Sequence, residues 1–269
     1  DGDAVAYVHM VESVVMPKLL TAISGFVPQQ MTPPVVKLFE SWEPLLPVKS
    51  FNTLVDTVIP KLKACTDAWD PKRDPTPVHA WLHPWLPFFP ERLDELYPVI
   101  RYKIGVALAE WHPSDSSAIV ILQPWTKVFK HAHMDALLKR CVLPKLALCL
   151  REMPINPAAQ QLDAFRWVTA WVGTAPLDSV AAIFEFEFFP RWLSVLFQWL
   201  TRSPDYDEVT RWYLNWKSLF PDALAAHDKV KVHFTRALDI MNNVVAGAQI
   251  VGGYLQPGTK ENLDYLKVT

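Results

Sequence analysis

The chain has 269 residues, 51% of them hydrophobic, and a formal net charge of −2. That apolar content supplies a sizeable core, and the lack of a basic excess argues against a whole face built to bind nucleic acid. With 24 prolines and only 8 glycines, a fold of central β-strands and tight hairpins is excluded, because proline removes ladder donors and hairpin turns call on glycine.

Three cysteines, Cys65, Cys141 and Cys149, form no CxxC pair, which fits a reducing compartment and no disulfide framework. No apolar run reaches the length of a membrane span without a charge or proline. Asp1-Gly2-Asp3 places acid where a signal peptide needs basic residues, and the absence of an initiator methionine reads as an excised fragment.

In chain order, a short apolar step followed by a basic residue recurs. It reads Val15-Met16-Pro17-Lys18-Leu19, then Val58-Ile59-Pro60-Lys61-Leu62, then degenerately Ile100-Arg101-Tyr102-Lys103-Ile104. It returns as Val142-Leu143-Pro144-Lys145-Leu146 and as Phe188-Phe189-Pro190-Arg191-Trp192. From Lys18 to Lys61, Lys103, Lys145 and Arg191 the steps are 43, 42, 42 and 46 residues. A second landmark keeps the same beat: Trp42, Trp85, Trp125, Trp171 and Trp216 lie 43, 40, 46 and 45 residues apart. Two interleaved landmarks at one period mark an internal repeat.

Each repeat reads as a pair of helices. The first carries the proline-lysine step and kinks there, as over Phe51–Trp69 or Met134–Met153. Asp135 and Asp178 are expected as N-caps. The second, shorter helix carries the tryptophan, as over Val35–Trp42 and Asp163–Val172. The predicted fold is all-α, a right-handed α-α superhelix of about five to six HEAT-like helix pairs. It occupies residues 1–246, and the glycine-rich residues 247–269 follow as a linker or tail.

The pairs Trp81/Trp85, Trp167/Trp171 and Trp212/Trp216 share helix faces at i, i+4 spacing and read as core between repeats, with base stacking as the competing use. Stacked in register, Lys18, Lys61, Lys103, Lys145 and Arg191 would line one edge. Such a row is either a solvated surface or a protein-binding ladder for an acidic partner segment or RNA phosphate. His79 and His83 have zinc-ligand spacing, but Ala80 stands where HExxH needs glutamate, and no Cys/His set completes a metal site. In Trp111-His112-Pro113-Ser114-Asp115-Ser116-Ser117 the Ser/His/Asp grouping is local, which suits an N-cap at Ser114 or Asp115 better than a triad assembled by a fold. With no GxSxG, Walker or GxGxxG motif, no enzymatic activity and no cofactor are expected.

Several stretches in order carry a family resemblance: Ala80-Trp81-Leu82-His83-Pro84-Trp85-Leu86-Pro87, Ala109-Glu110-Trp111-His112-Pro113-Ser114-Asp115 and Phe188-Phe189-Pro190-Arg191-Trp192-Leu193. Arg211-Trp212-Tyr213-Leu214-Asn215-Trp216-Lys217 and Gly253-Tyr254-Leu255-Gln256-Pro257-Gly258 extend it over nearly the whole chain. In these the chain resembles the tuftelin-interacting-protein family of spliceosome-disassembly factors, in its GCFC-type superhelical domain. The resemblance implies a nuclear protein of the intron-lariat spliceosome with spliceosomal proteins and a second GCFC-type protein as partners. It further implies a DEAH-box RNA helicase, engaged through a glycine-rich G-patch that this stretch of chain lacks. What it leaves for these residues is docking, with no catalytic residues to carry over. A nucleic-acid-binding helical repeat is the alternative, suggested by the reference to GC-rich DNA in the name of related proteins and opposed by the net charge.

Overall fold

A computed structural model describes residues 2–202 and 204–247, and among these residues the secondary structure is α-helix with short 3-10 and π turns and no strand. The all-α expectation holds. The chain divides into two compact units, Asp1–Ala107 and Leu108–Thr269. Of the tail expected at 247–269, residues 248–269 lie outside the described residues.

In the first unit, α1 (Gly2–Met10) continues through a π turn at Val11–Val15 into α2 (Met16–Ser24). Then follow α3 (Pro28–Trp42), α4 (Val48–Ala68), α5 (Val78–Leu82), α6 (Pro90–Leu93) and α7 (Tyr97–Ala109), the last ending just past the unit boundary. The shorter helix expected at Val35–Trp42 starts earlier, because Pro28 occupies its first turn, where a missing N–H costs nothing. Phe39 gathers the core, edge-on to Trp85 at 5.1 Å and to Phe51 at 5.7 Å.

The second unit contains α8 (Ser117–Leu122), α9 (His131–Cys141), α10 (Leu143–Glu152), α11 (Asp163–Thr169) and α12 (Leu177–Ile183). A π turn at Phe184–Phe188 leads into α13 (Phe189–Leu200), followed by α14 (Tyr206–Leu219), α15 (Asp222–Ala225) and α16 (Asp228–Val245). Phe165, Phe184, Phe188, Trp216 and Phe220 form one aromatic cluster with ring centroids about 5–6 Å apart. After α16, Gly247 takes φ of 74° and its N–H bonds Val244 O at 3.0 Å, a left-handed stop that favours glycine.

The proline step does not act uniformly. Before Pro17 and Pro190 the preceding turn widens to a π turn, and before Pro144 the chain breaks at Val142, so the helix expected over Met134–Met153 is two helices. Pro60 sits inside an unbroken α4, as expected for the helix over Phe51–Trp69. In the π and broken forms the missing proline donor falls where the i→i−4 ladder is already interrupted. Asp135 and Asp178 are not N-caps. Their helices begin earlier, at His131 and Leu177, behind Lys130 and Pro176. The N-cap of α8 is Ser116 and not the expected Ser114 or Asp115, though the Asp115 carboxylate accepts from Ser117 N–H at 2.9 Å, and that bond holds its pKa below the usual value.

Four of the five tryptophan landmarks are core. Trp85 and Trp125 each end a 3-10 turn, His83–Trp85 and Gln123–Trp125, and both are fully buried. Each stacks on the phenylalanine four residues on, Phe89 at 5.4 Å and Phe129 at 4.6 Å, so the two units repeat one packing motif. Trp171 and Trp216 are buried as well, whereas Trp42 and Trp167 are only partly covered. Trp85→Ala or Trp125→Ala should therefore cost ~3–5 kcal/mol in urea unfolding, and Trp42→Ala clearly less.

His233 is buried and stacks face to face on Phe189 at 4.6 Å. Burial, reinforced by Arg236, pushes its pKa down to about 4. The unfolded chain therefore binds a proton more readily below about pH 6.5, and stability is lost as pH falls from there toward 4. Replacing His233 with Phe should flatten the pH dependence of the urea midpoint over that range. An unchanged slope would refute the assignment.

Candidate functional site

Four of the five ladder cations are already engaged by main-chain carbonyls. Lys61 Nζ donates to Ile23 O at 3.2 Å and to Ser24 O, at the end of α2. Lys103 Nζ donates to Thr66 O (3.1 Å), Asp67 O (2.5 Å) and Trp69 O (2.6 Å), at the end of α4. Lys145 Nζ donates to Leu108 O (2.8 Å), Ala109 O (2.7 Å) and Trp111 O (2.6 Å). Arg191 reaches Leu150 O and, at 2.6 Å, Met153 O, where α10 ends, while its Nε holds Glu187 O at 3.0 Å.

The register is strict. Lys103 and Lys145 both reach back 37, 36 and 34 residues. Arg191 reaches back 41 and 38, each four longer than 37 and 34, as its 46-residue step is four longer than the preceding 42. Helix ends leave carbonyls without intrahelical donors and carry the negative end of the macrodipole, so a cation there satisfies both. Geometry thus gives Lys61, Lys103, Lys145 and Arg191 a capping role. The four cations of the expected partner-binding row are thus shared with main-chain carbonyls of the preceding repeat. Lys18 is exposed and makes no hydrogen bond among the described residues.

The remaining sequence candidates do not assemble chemistry. His79 and His83 lie with ring centroids 5.6 Å apart. Burial, then repulsion from His79, pushes the His83 pKa down to about 4. No group of three metal-ligating side chains occurs among the described residues. His112 Nδ1 shares a hydrogen bond with Ser114 Oγ at 2.8 Å, and its Nε2 stands 3.8 Å from Cys149 Sγ in a cleft of about 280 Å³. Burial, then Glu152, raises the Cys149 pKa, which opposes the thiolate a nucleophile needs.

A larger feature escaped the sequence reading. In the second unit an open groove of about 870 Å³ runs between α13, α14 and the loop at residues 156–158. On α13 and the turn after it, Val195, Gln198, Trp199 and Arg202 line one side, and on α14 Glu208, Arg211, Trp212 and Asn215 share a face. Trp192 and Trp212 stack at 5.1 Å with 13° between planes, and Trp199 meets Trp212 edge-on at 5.9 Å, which makes the aromatic wall rigid. These residues at i, i+3, i+4 and i+7 were readable as stripes, but nothing local shows that the two stripes face each other.

If capping is what the cations do, Lys145→Met should lower unfolding free energy by ~1.5–3 kcal/mol, the range for hydrogen bonds from a charged donor. Lys145→Arg should retain part of that, and Lys18→Met should leave the urea midpoint unchanged. Equal losses at Lys18 and Lys145 would refute capping.

Comparison with known proteins places these observations. Over the aligned 270 positions the chain is 44% identical to tuftelin-interacting protein 11 of Homo sapiens and of Bos taurus, and 43% identical to that of Sus scrofa. These alignments cover the whole chain but 32% of each relative, so the chain spans about a third of the length of the curated relatives it matches. Residues 2–196 match a family described as GC-rich sequence DNA-binding factor-like protein, and with most of its length matched the chain belongs to that family.

Proposed function

We propose that this chain is a protein-interaction scaffold of a nuclear factor that acts in disassembly of the intron-lariat spliceosome. Its partners on this reading are spliceosomal proteins, a second protein of the same family and a DEAH-box RNA helicase engaged through a G-patch elsewhere in the longer protein. The observation that carries the proposal is end-to-end identity of 44% to relatives whose very name denotes a protein that interacts with another protein. The side chains fit the same role, because the groove of about 870 Å³ between α13 and α14 offers aromatic rings, guanidinium groups, amides and the Glu208 carboxylate, groups suited to binding. A non-enzymatic role and a right-handed superhelix of HEAT-like pairs belong to this proposal, the latter resting on the repeat period.

The family description names DNA binding, which supports a second reading as a nucleic-acid module. Against it stands the net charge of −2. Crosslinking mass spectrometry of purified intron-lariat complexes should place this domain against protein surfaces. A salt titration with single-stranded RNA should show weak binding. Crosslinks confined to RNA, with affinity falling steeply as salt rises, would reverse the two readings.

A further inference from the structure

We infer that the face running from the π turn at Val11–Val15 into α2 seats the end of a further helix, one that precedes Asp1 in the longer protein and whose last carbonyls Lys18 caps. The hydrogen-bond register carries this, independently of the spliceosomal reading above.

In each later copy of the step, the cation and the residues four before and four after it are covered. Thr57, Lys61 and Cys65 are half-buried, as are Val99, Lys103 and Ala107, and then Cys141, Lys145 and Cys149. Glu187 is fully buried, and Arg191 and Val195 are half-buried. Spacing of i, i+4 and i+8 puts each set on one side of its helix. What covers that side lies one repeat back. The cations reach carbonyls at earlier helix ends. Cys149 Sγ lies 3.8 Å from His112 Nε2, 37 residues earlier, and Glu187 is gripped by Arg151, 36 residues earlier.

The first copy breaks the pattern. Val14 is 51% exposed, and Lys18 and Ala22, at the same spacing, are exposed too. Lys18 makes no hydrogen bond or ion pair among the described residues. Just ahead of this stripe α1 buries none of its side chains, and Val5, Val8 and Met10 are all exposed. Val14 stands where the second copy has Thr57, so the uncovered face is more apolar than its covered counterpart, the reverse of what water favours.

The same offsets identify the occupant. Lys61 reaches back 38 and 37 residues, and Lys103 and Lys145 each reach back 37, 36 and 34. Counted from Lys18, these offsets fall about 17–21 residues ahead of Asp1. This chain spans about a third of the length of the relatives it matches, and their length accommodates such a segment. The carbonyl end of a helix satisfies an ammonium group without any acidic side chain, as it does for Lys61, Lys103 and Lys145.

The experiment uses the full-length protein, with the photoreactive residue benzoylphenylalanine in place of exposed Val14. On irradiation it should crosslink within its own chain, to a peptide about 20–25 residues ahead of Asp1. Lys18→Glu should speed hydrogen exchange of that peptide at least about tenfold, as the loss of a charge-assisted hydrogen bond does. Lys18→Arg should leave it nearly unchanged, because Arg191 caps as the lysines do. Lys63→Glu, an equal change of charge at another exposed lysine, should have no effect. Crosslinks to residues 248–269 or to a second copy would overturn the assignment, and so would the absence of any crosslink. Equal exchange in the wild type and Lys18→Glu, or equal acceleration by Lys18→Glu and Lys63→Glu, would overturn it as well. None of these outcomes touches the scaffold reading, which stands or falls on the crosslinks in intron-lariat complexes.

Discussion

The end of a helix leaves carbonyl oxygens that no residue of that helix can satisfy. In this chain the ends that fall near the core receive a cation from about one repeat further along. Lys103 on the end of α4 and Lys145 on Leu108, Ala109 and Trp111 do this with identical offsets, and Arg191 does it with an offset lengthened by the local insertion. Within the first unit the Lys103 contact ties α7 to the end of α4, and within the second the Arg191 contact ties α13 to the end of α10. The apolar side chains on either side of each cation, such as Leu143, Leu146 and Ala147 around Lys145, are thereby held in the core. The cation persists through the repeats while the proline does not, because the carbonyls still need a donor when Tyr102 stands in the proline's place.

Around that framework the aromatic residues supply the apolar burial. Trp85 with Phe89 and Trp125 with Phe129 reproduce one stacked pair in the two units, and the second unit adds the Phe165–Phe184–Phe188–Trp216–Phe220 cluster. A single charged element lies inside this part of the core. Glu187, fully buried in the π turn, is gripped by Arg151 through two hydrogen bonds of 2.8 and 2.6 Å. The wide turn that Pro190 permits is what holds Glu187 O within reach of Arg191 as well. Such a bidentate pair fixes geometry more surely than it adds stability.

The groove of α13 and α14 lies past Arg191, the last capping cation in the chain. There the aromatic wall continues from the core outward, Trp192 to Trp212 to Trp199.

The sequence by itself determined the helical class, the repeat beat and the burial of Trp85 and Trp125, because periodic apolar landmarks are a local record of which face a helix buries. It also located every cation of the ladder. It missed the carbonyl-capping bonds that four of them make, the breaks around Val142 and the helix starts at His131 and Leu177. Whether an ammonium meets solvent, a partner or a carbonyl 37 residues earlier is settled by a non-local hydrogen bond, which leaves no periodic trace in the chain. The groove was hidden for the same reason. Its stripes at 195–202 and 208–215 are legible one helix at a time, but only tertiary packing brings them together with the 156–158 loop.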